Sequence, residues 1–363
     1  MFRDNNKAVG CVLTDRVTLM RERRFRWRPI LAGLVPAVIF IVAGCDRKPT
    51  RFKRTFFRMD TVTDVTLVMP EGSDPKPVWN SIDSLIEDWE RRFSVTGVKS
   101  EVQKLNRRTG RAMPISPQLA GMIAFALRYG DTLGGGFDLT ILPVKETWGF
   151  GEQTNDSMPL PSRETVDSAL AAVSYKDVTL NGAMDTVFFA SPETRIDIGG
   201  IAKGFVLHEL AELLDGLHFE NYLVVAGGDI VGKGRRPDDG RPWLVGIQHP
   251  RNPEEMIGTL VLDSGSVVTS GDYERFRIVD GRRYHHIFNS HTGRCCLANQ
   301  SVTVWGMDPI EVDVLSTGLF CLPAQEIVAY IDARPRFECM VVDSTGRVFT
   351  SKKWDGEVRT MGK

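Results

Sequence analysis

Arg195-Ile196-Asp197-Ile198-Gly199-Gly200-Ile201-Ala202-Lys203-Gly204-Phe205 is the stretch on which the reading of this chain turns. It opens with an apolar–polar alternation, the period of a half-buried strand. Two glycines follow. Leu207, Leu210, Leu213 and Leu214 then recur at helical spacing. A strand that runs through glycines into a helix offers backbone N–H groups and a positive helix end to an anion. The same glycines would also serve a tight turn or close packing. Neither G-x-x-x-x-G-K-[ST] nor G-x-G-x-x-G stands at this turn.

Downstream comes Glu311-Val312-Asp313-Val314-Leu315-Ser316-Thr317. Asp313 and Thr317 are four residues apart and share one face if the segment is helical. Hard oxygen donors of this kind suit magnesium bound beside phosphates. Taken separately, they would also pass for surface and cap residues. Together the two stretches suggest a phosphate-containing ligand held by backbone and metal.

Around them, helix and strand patterns are interspersed. Residues 59–68 alternate as a strand, and 78–93 carry a helical period through Ile82, Leu85, Ile86 and Trp89. Ser116 caps a helix running from Pro117 towards Tyr129, and Gly134-Gly135-Gly136 breaks the chain after it. Residues 164–173 read as helix, and 178–180 with 186–189 as a hairpin around Asn181-Gly182. Strands are expected at 223–225, 243–247, 258–262, 276–279, 301–304 and 339–342. Such a mixture points to an α+β fold with largely antiparallel or mixed sheets and packed helices, not to a doubly wound parallel sheet. No internal repeat or interdomain linker is visible.

The chain has 363 residues, a quarter of them charged, with a formal net charge of −1. A nucleic-acid binder would carry a basic excess, so that class is set aside. Arg21, Arg23, Arg24, Arg26 and Arg28 form a basic n-region before the uncharged, mostly apolar residues 30–44. That run has the length of a signal h-region and is short for a membrane span. It ends in Val42-Ala43-Gly44-Cys45, which resembles a bacterial lipobox with Cys45 as the lipidated residue; an uncleaved anchor is the alternative. The expected organisation is a signal peptide at 1–44, starting at Met1 or Met20, a lipidated tether at 45–54 and a single catalytic domain at 55–363. The body then sits at a membrane surface outside the cytoplasm. Cys295, Cys296, Cys321 and Cys339 have no zinc spacing, and buried or unpaired thiols are the expectation for all four, a disulfide in an oxidising compartment being the alternative that spacing does not assign.

The motifs, in order, resemble the ApbE family of FAD:protein FMN transferases, many of them periplasmic lipoproteins. The matching pieces are Phe93-Ser94 with 100–106, Gly136-Phe137-Asp138-Leu139-Thr140, and Trp148-Gly149-Phe150-Gly151. They continue with 196–204, Ala226-Gly227-Gly228-Asp229-Ile230, and 269–276. The series ends with His286-Ile287 before Thr292-Gly293, and 313–317. The resemblance implies a T-fold-like catalytic domain that binds FAD as substrate. It further implies Mg²⁺-assisted cleavage of the pyrophosphate, passage of FMN to a Thr or Ser hydroxyl of an acceptor flavoprotein, and release of AMP. Carried onto this chain, it puts Asp313, Thr317, Ser316 and the Ala202 carbonyl around the metal. Met59, Gly136, Phe137, Asp138, Gly199, Lys203, Phe205 and Ile287 fall where the family contacts FAD, and His286 becomes the general base. By residue type alone His286 would be a half-buried strand histidine, with His285 pointing the other way. Asp229 would shape a loop or contact a ligand, Trp148 would pack, and Arg275 would face a phosphate or pair at the surface.

Two departures stand out. Val95, Thr96 and Gly97 occupy a stretch where relatives carry an aromatic that stacks on flavin. Asn289-Ser290-His291-Thr292-Gly293 replaces the usual Asp-Pro-x-Thr-Gly. Two other readings use the same scaffold: an FAD pyrophosphatase yielding FMN and AMP, and a non-catalytic FAD-binding lipoprotein.

Overall fold

Strand β1 (Pro49–Arg58) pairs antiparallel with β2 (Thr61–Pro70) in unbroken register, from Pro49↔Pro70 to Arg58↔Thr61. The tether expected through residue 54 is therefore shorter. Its second half is a sheet strand, because Phe52 and Phe56 alternate with charged residues and pack inward. The computed structural model describes residues 48–59, 61–94, 97, 99–151 and 157–358. The signal segment, Cys45, Val95 and Thr96 lie outside the described residues.

In chain order follow α1 (Lys76–Phe93), α2 (Glu101–Asn106), β3 (Ala112–Pro114), α3 (Pro117–Thr132), α4 (Leu142–Thr147), α5 (Arg163–Leu170), β4 (Val178–Leu180), β5 (Thr186–Phe189) and α6 (Ala202–Gly216). Then come β6 (Tyr222–Ala226), β7 (Asp229–Lys233), β8 (Trp243–Gln248), β9 (Met256–Leu262), β10 (Ser264–Gly271), β11 (Phe276–Val279) and β12 (Arg282–His285). The chain closes with β13 (Asn299–Gly306), α7 (Pro309–Gly318), α8 (Ala324–Asp332), β14 (Glu338–Asp343) and β15 (Val348–Thr350).

One sheet has the order β1-β2-β6-β7-β10-β13-β14-β15, and every neighbouring pair in it is antiparallel. The fold is α+β, as the sequence pattern predicts. Residue alternation decides what each face of this sheet covers. Val268, Cys339 and Val341 join the apolar cluster that holds the helices. Their neighbours Val267, Met340 and Val342 join a second cluster, with Trp243, Val245 and Ile247 of β8 and Ile257, Leu260 and Leu262 of β9. Helices therefore pack on one face and the β8–β9 hairpin on the other.

Two expectations fail. Residues 195–198 keep the burial alternation of a strand, with Ile196 and Ile198 buried, yet pair with no strand among the described residues. Side-chain and loop groups take the hydrogen bonds a ladder would supply. Ile196 N–H donates to Asn106 Oδ1 and Asn106 Nδ2 donates back to Ile196 O, both at 2.8 Å, while Asp197 N–H donates to Leu139 O at 2.7 Å. The second concerns the thiols. Cys296 and Cys321 form a disulfide, with Cα atoms 4.9 Å apart, leaving Cys295 and Cys339 as buried thiols. The fold brings together the segments after β12 and after α7, which sequence spacing does not reveal.

Helices α6 and α7 cross at Gly204. A Cβ added there would stand 2.7 Å from Pro309 O, 2.8 Å from Ile310 Cα and 2.9 Å from Asp313 Cβ, so backbone would have to move. Gly204→Ala should lower unfolding stability by about 1–3 kcal/mol through overpacking. A urea melt unchanged from wild type would show that the crossing has slack.

Candidate active site

The Gly204 crossing brings the two stretches of the sequence reading into contact. Pro309 at the first turn of α7 and Asp308, whose Oδ1 accepts from Ile310 N–H at 2.8 Å, start that helix. Asp313 then faces the beginning of α6, where its Oδ2 accepts from Gly204 N–H at 2.7 Å. The α6 end was expected to receive an anion, and the chain supplies one of its own. Gly200 lets Thr317 approach: a Cβ there would lie 3.2 Å from Thr317 Cγ2 and 3.0 Å from Phe137 Cε2.

Asp229, at the start of β7, is as buried as Asp313; the two are 1% and 2% exposed. Gly227 and Gly228 bring the chain to it with φ of 56° and 91°, a conformation that favours glycine. Asp229 Oδ1 accepts from Thr269 N–H at 3.1 Å, and its other oxygen is ion-paired with Lys203. Lys203 keeps 37% of its side chain exposed. Burial works against the Lys203 ammonium, but Asp229 and then Asp313 outweigh it and its pKa is raised. Burial, and next the Asp229 charge, push the Asp313 carboxyl up to about 7. Two buried carboxyl groups thus stand beside one ammonium, and burial favours a proton or another cation at the second.

Hydroxyls complete this group. Ser270 Oγ on β10 lies 2.9 Å from Ser316 Oγ and 3.0 Å from Thr317 Oγ1, and Ser316 Oγ donates to Asp313 O at 2.9 Å. Lys203, Asp313, Ser316 and Thr317 thus share one neighbourhood, with Ala202 opening α6 beside Lys203. Asp229, read from the sequence as a loop residue or ligand contact, and Ser270, which the sequence does not single out, join this group. Ser270 stood inside a quoted motif, and nothing in its type marks it.

His286 belongs to a second group. It follows β12 in a bend and is half-buried. Its Nδ1 lies 3.2 Å from Arg275 O. A carbonyl only accepts, so Nδ1 carries the hydrogen and Nε2 carries the lone pair. Burial, and next the Lys145 charge, lower the ring's pKa to about 3, so it is neutral. His285 points elsewhere: it is buried, hydrogen-bonded to Cys296 O and packed on Phe320. Lys145 pairs with Asp197, whose carboxyl stays below its usual range because Lys145 and Gly199 N–H outweigh burial. Lys145, Asp197 and Arg275 also line a cleft with Asn106, Glu146 and Arg195.

The remaining expected contacts are scattered. Asp138 gives Oδ1 to the N–H and hydroxyl of Thr140 and Oδ2 to Tyr175 N–H. Phe205 is buried with its ring near Trp89 and Phe125. Ile287 is buried. Met59 sits at φ 57° and donates its N–H to Glu90 Oε1 at 2.7 Å. Gly136 abuts α7, where a Cβ would meet Gly318 O at 2.8 Å. Trp148 packs on Tyr284 and Phe288.

The His286 value lies below the ordinary 6.5, so between pH 6.5 and about 3 the unfolded chain takes up a proton that the folded chain refuses. Stability should fall across that window on acidification and be unaffected by this group above it. His286→Asn should remove part of the fall. Urea midpoints measured from pH 8 to 4.5 test this, and parallel curves for the two proteins would show that the ring protonates normally.

A family model described as the ApbE family matches residues 59–341. A FAD:protein FMN transferase of Vibrio cholerae is 28% identical over 321 residues, covering 87% of this chain and 93% of its own. One from Haemophilus influenzae is 29% identical over 308 residues, covering 81% and 88%. Among solved structures, the ApbE protein of Thermotoga maritima aligns with a TM-score of 0.77 at 28% identity, over 84% of this chain and 97% of that one. Flavin transferase ApbE from Vibrio cholerae aligns with a TM-score of 0.75 at 26% identity, over 84% and 98%. Match, fold and gathered motifs agree: the chain belongs to the ApbE family.

Proposed function

We propose that this protein transfers FMN from FAD to a Thr or Ser hydroxyl of an acceptor flavoprotein, releasing AMP, with Mg²⁺ as cofactor. The observation that carries the metal is the charge deficit at Asp229 and Asp313, where two buried carboxylates have one ammonium between them. Asp313 Oδ1 has no hydrogen-bond partner among the described residues, and the hydroxyls beside it are hard oxygens. These residues fit a divalent cation. Asp313 and Thr317 would hold it, with the Ala202 carbonyl, and when bound it would draw charge from the phosphate oxygens.

The chain's own groups supply the rest. The partly exposed Lys203 ammonium meets the FAD pyrophosphate. The Nε2 lone pair of His286 takes the acceptor's hydroxyl proton. The freed oxygen forms a bond to the FMN phosphorus, and the bond from that phosphorus to the bridging oxygen breaks. AMP leaves with the electron pair. A neutral ring is required for this, and burial with Lys145 keeps it neutral. The relatives' name, FAD:protein FMN transferase, supports the same reaction. We further propose that Cys45 is lipidated and holds the body at the periplasmic face of the inner membrane.

Purified protein incubated with FAD, Mg²⁺ and a candidate acceptor should raise the acceptor's mass by one FMN phosphoryl group. Chelation of the metal or Asp313→Ala should abolish the gain, a loss on the order of a hundredfold or more. Free FMN and AMP with an unlabelled acceptor would turn the reading to hydrolysis, and intact FAD would overturn it. For the anchor, Cys45→Ala should move the protein from the membrane fraction to the soluble fraction. A variant still in the membrane, with its first 44 residues attached, would favour an uncleaved anchor.

A further inference from the structure

Each hydroxyl in the cluster beside Asp313 has one hydrogen to donate and two lone pairs to accept with. This fixes the direction of every bond in the cluster. Ser316 Oγ contacts the Asp313 carbonyl oxygen at 2.9 Å. The carbonyl can only accept, so the single Ser316 hydrogen is committed to it. The 2.9 Å contact between Ser270 and Ser316 must then use the Ser270 hydrogen. The 3.0 Å contact between Ser270 and Thr317 is left to the Thr317 hydrogen. The chain runs from Thr317 to Ser270 to Ser316 to the α7 backbone, and no other order uses all three contacts.

The consequence falls on Thr317. A hydroxyl that binds a cation must present lone pairs and point its hydrogen away. Ser270 receives that hydrogen from the neighbouring strand. Ser316 is fully buried and spends its hydrogen on the backbone, so it anchors the relay. Gly200 keeps a side chain off this side of Thr317, where an added Cβ would touch Cγ2 at 3.2 Å and Oγ1 at 3.6 Å.

We propose that Ser270 is a positioning residue for the divalent cation: it accepts the Thr317 hydrogen and so fixes that hydroxyl as a lone-pair donor to the metal. The proposal rests on the metal reading above and goes beyond it, because it assigns Ser270 an effect on cation affinity that its place outside the metal's own ligands would not suggest.

The test is a Mn²⁺ titration of the full chain carrying FAD, with no acceptor protein, reading free Mn²⁺ by electron paramagnetic resonance. Ser270→Ala and Ser270→Cys should each weaken Mn²⁺ binding by about 10- to 100-fold, the usual effect of removing a partner behind a metal ligand. Ser270→Thr, which keeps the hydroxyl, should bind within about threefold of wild type, given the same principle. Urea melts on the same samples show whether each variant is folded. Wild-type affinity in Ser270→Ala or in Ser270→Cys overturns the proposal, as does a loss in Ser270→Thr equal to that in Ser270→Ala. Asp313→Ala separates the two readings. If it leaves Mn²⁺ binding unchanged, the metal site itself is wrong. If it weakens binding while Ser270→Ala does not, only the role of Ser270 falls.

Discussion

Two carboxylates buried against one ammonium set the terms for the rest of this molecule. Leaving Asp313 charged in an apolar setting is unfavourable, and its raised pKa expresses that cost. The fold accepts the arrangement because Gly204 lets α6 and α7 touch backbone to backbone, so the α6 N–H end can donate to Asp313. Without that approach the carboxylate would lose its one chain-supplied donor, and burial would drive it to the neutral acid. One ammonium and one backbone N–H thus face two buried carboxyl groups here, which is unlike an ordinary apolar core.

The sheet delivers the other members of this cluster. β7 and β10 are neighbours in the ladder, with Val231 opposite Ser266 and Ile230 opposite Val267. That register carries Asp229 at the start of β7 to Thr269 on β10, and Ser270 follows directly on the side facing α7. β13 lies on the other side of β10, where the hydroxyls of Thr269 and Thr303 are 2.9 Å apart. By alternation that pair lies on the hairpin side of the sheet, opposite the face on which Ser270 meets α7. Because the members of the Asp313 cluster come from β7, β10, α6 and α7, it exists only in the assembled fold.

That explains what the sequence could and could not disclose. Periodicity located α1, α3, α6 and most of the strands, because burial of one face leaves a repeating mark in the chain. Asp313 and Thr317 were legible because their partnership is local, four residues along one helix. Residues 195–198 carried the strand pattern without the strand, since alternation reports burial and not which groups satisfy the backbone. Ser270, the Cys296–Cys321 bond and the Lys203–Asp229 pair were illegible, because each joins segments distant in sequence. The missing Asp in the loop after Ile287 has a local remedy: Asn289 Oδ1 accepts from the N–H groups of His291 and Thr292, both at 3.0 Å. Acceptor oxygens shape that loop, and an amide provides one as well as a carboxylate does.

His286 meets the opposite condition from Asp313. Burial first, and then the Lys145 charge, disfavour a proton on the ring, while the Arg275 carbonyl favours one. In the free protein this makes the ring a weak base, which would be a handicap if the cleft stayed as it is. The proposed substrate alters that balance, since an FAD pyrophosphate brings negative charge towards the same cation and relieves the penalty on an imidazolium. The ring would then gain basicity as the substrate binds. The Arg275 carbonyl meanwhile holds the ring in the tautomer that leaves the Nε2 lone pair free.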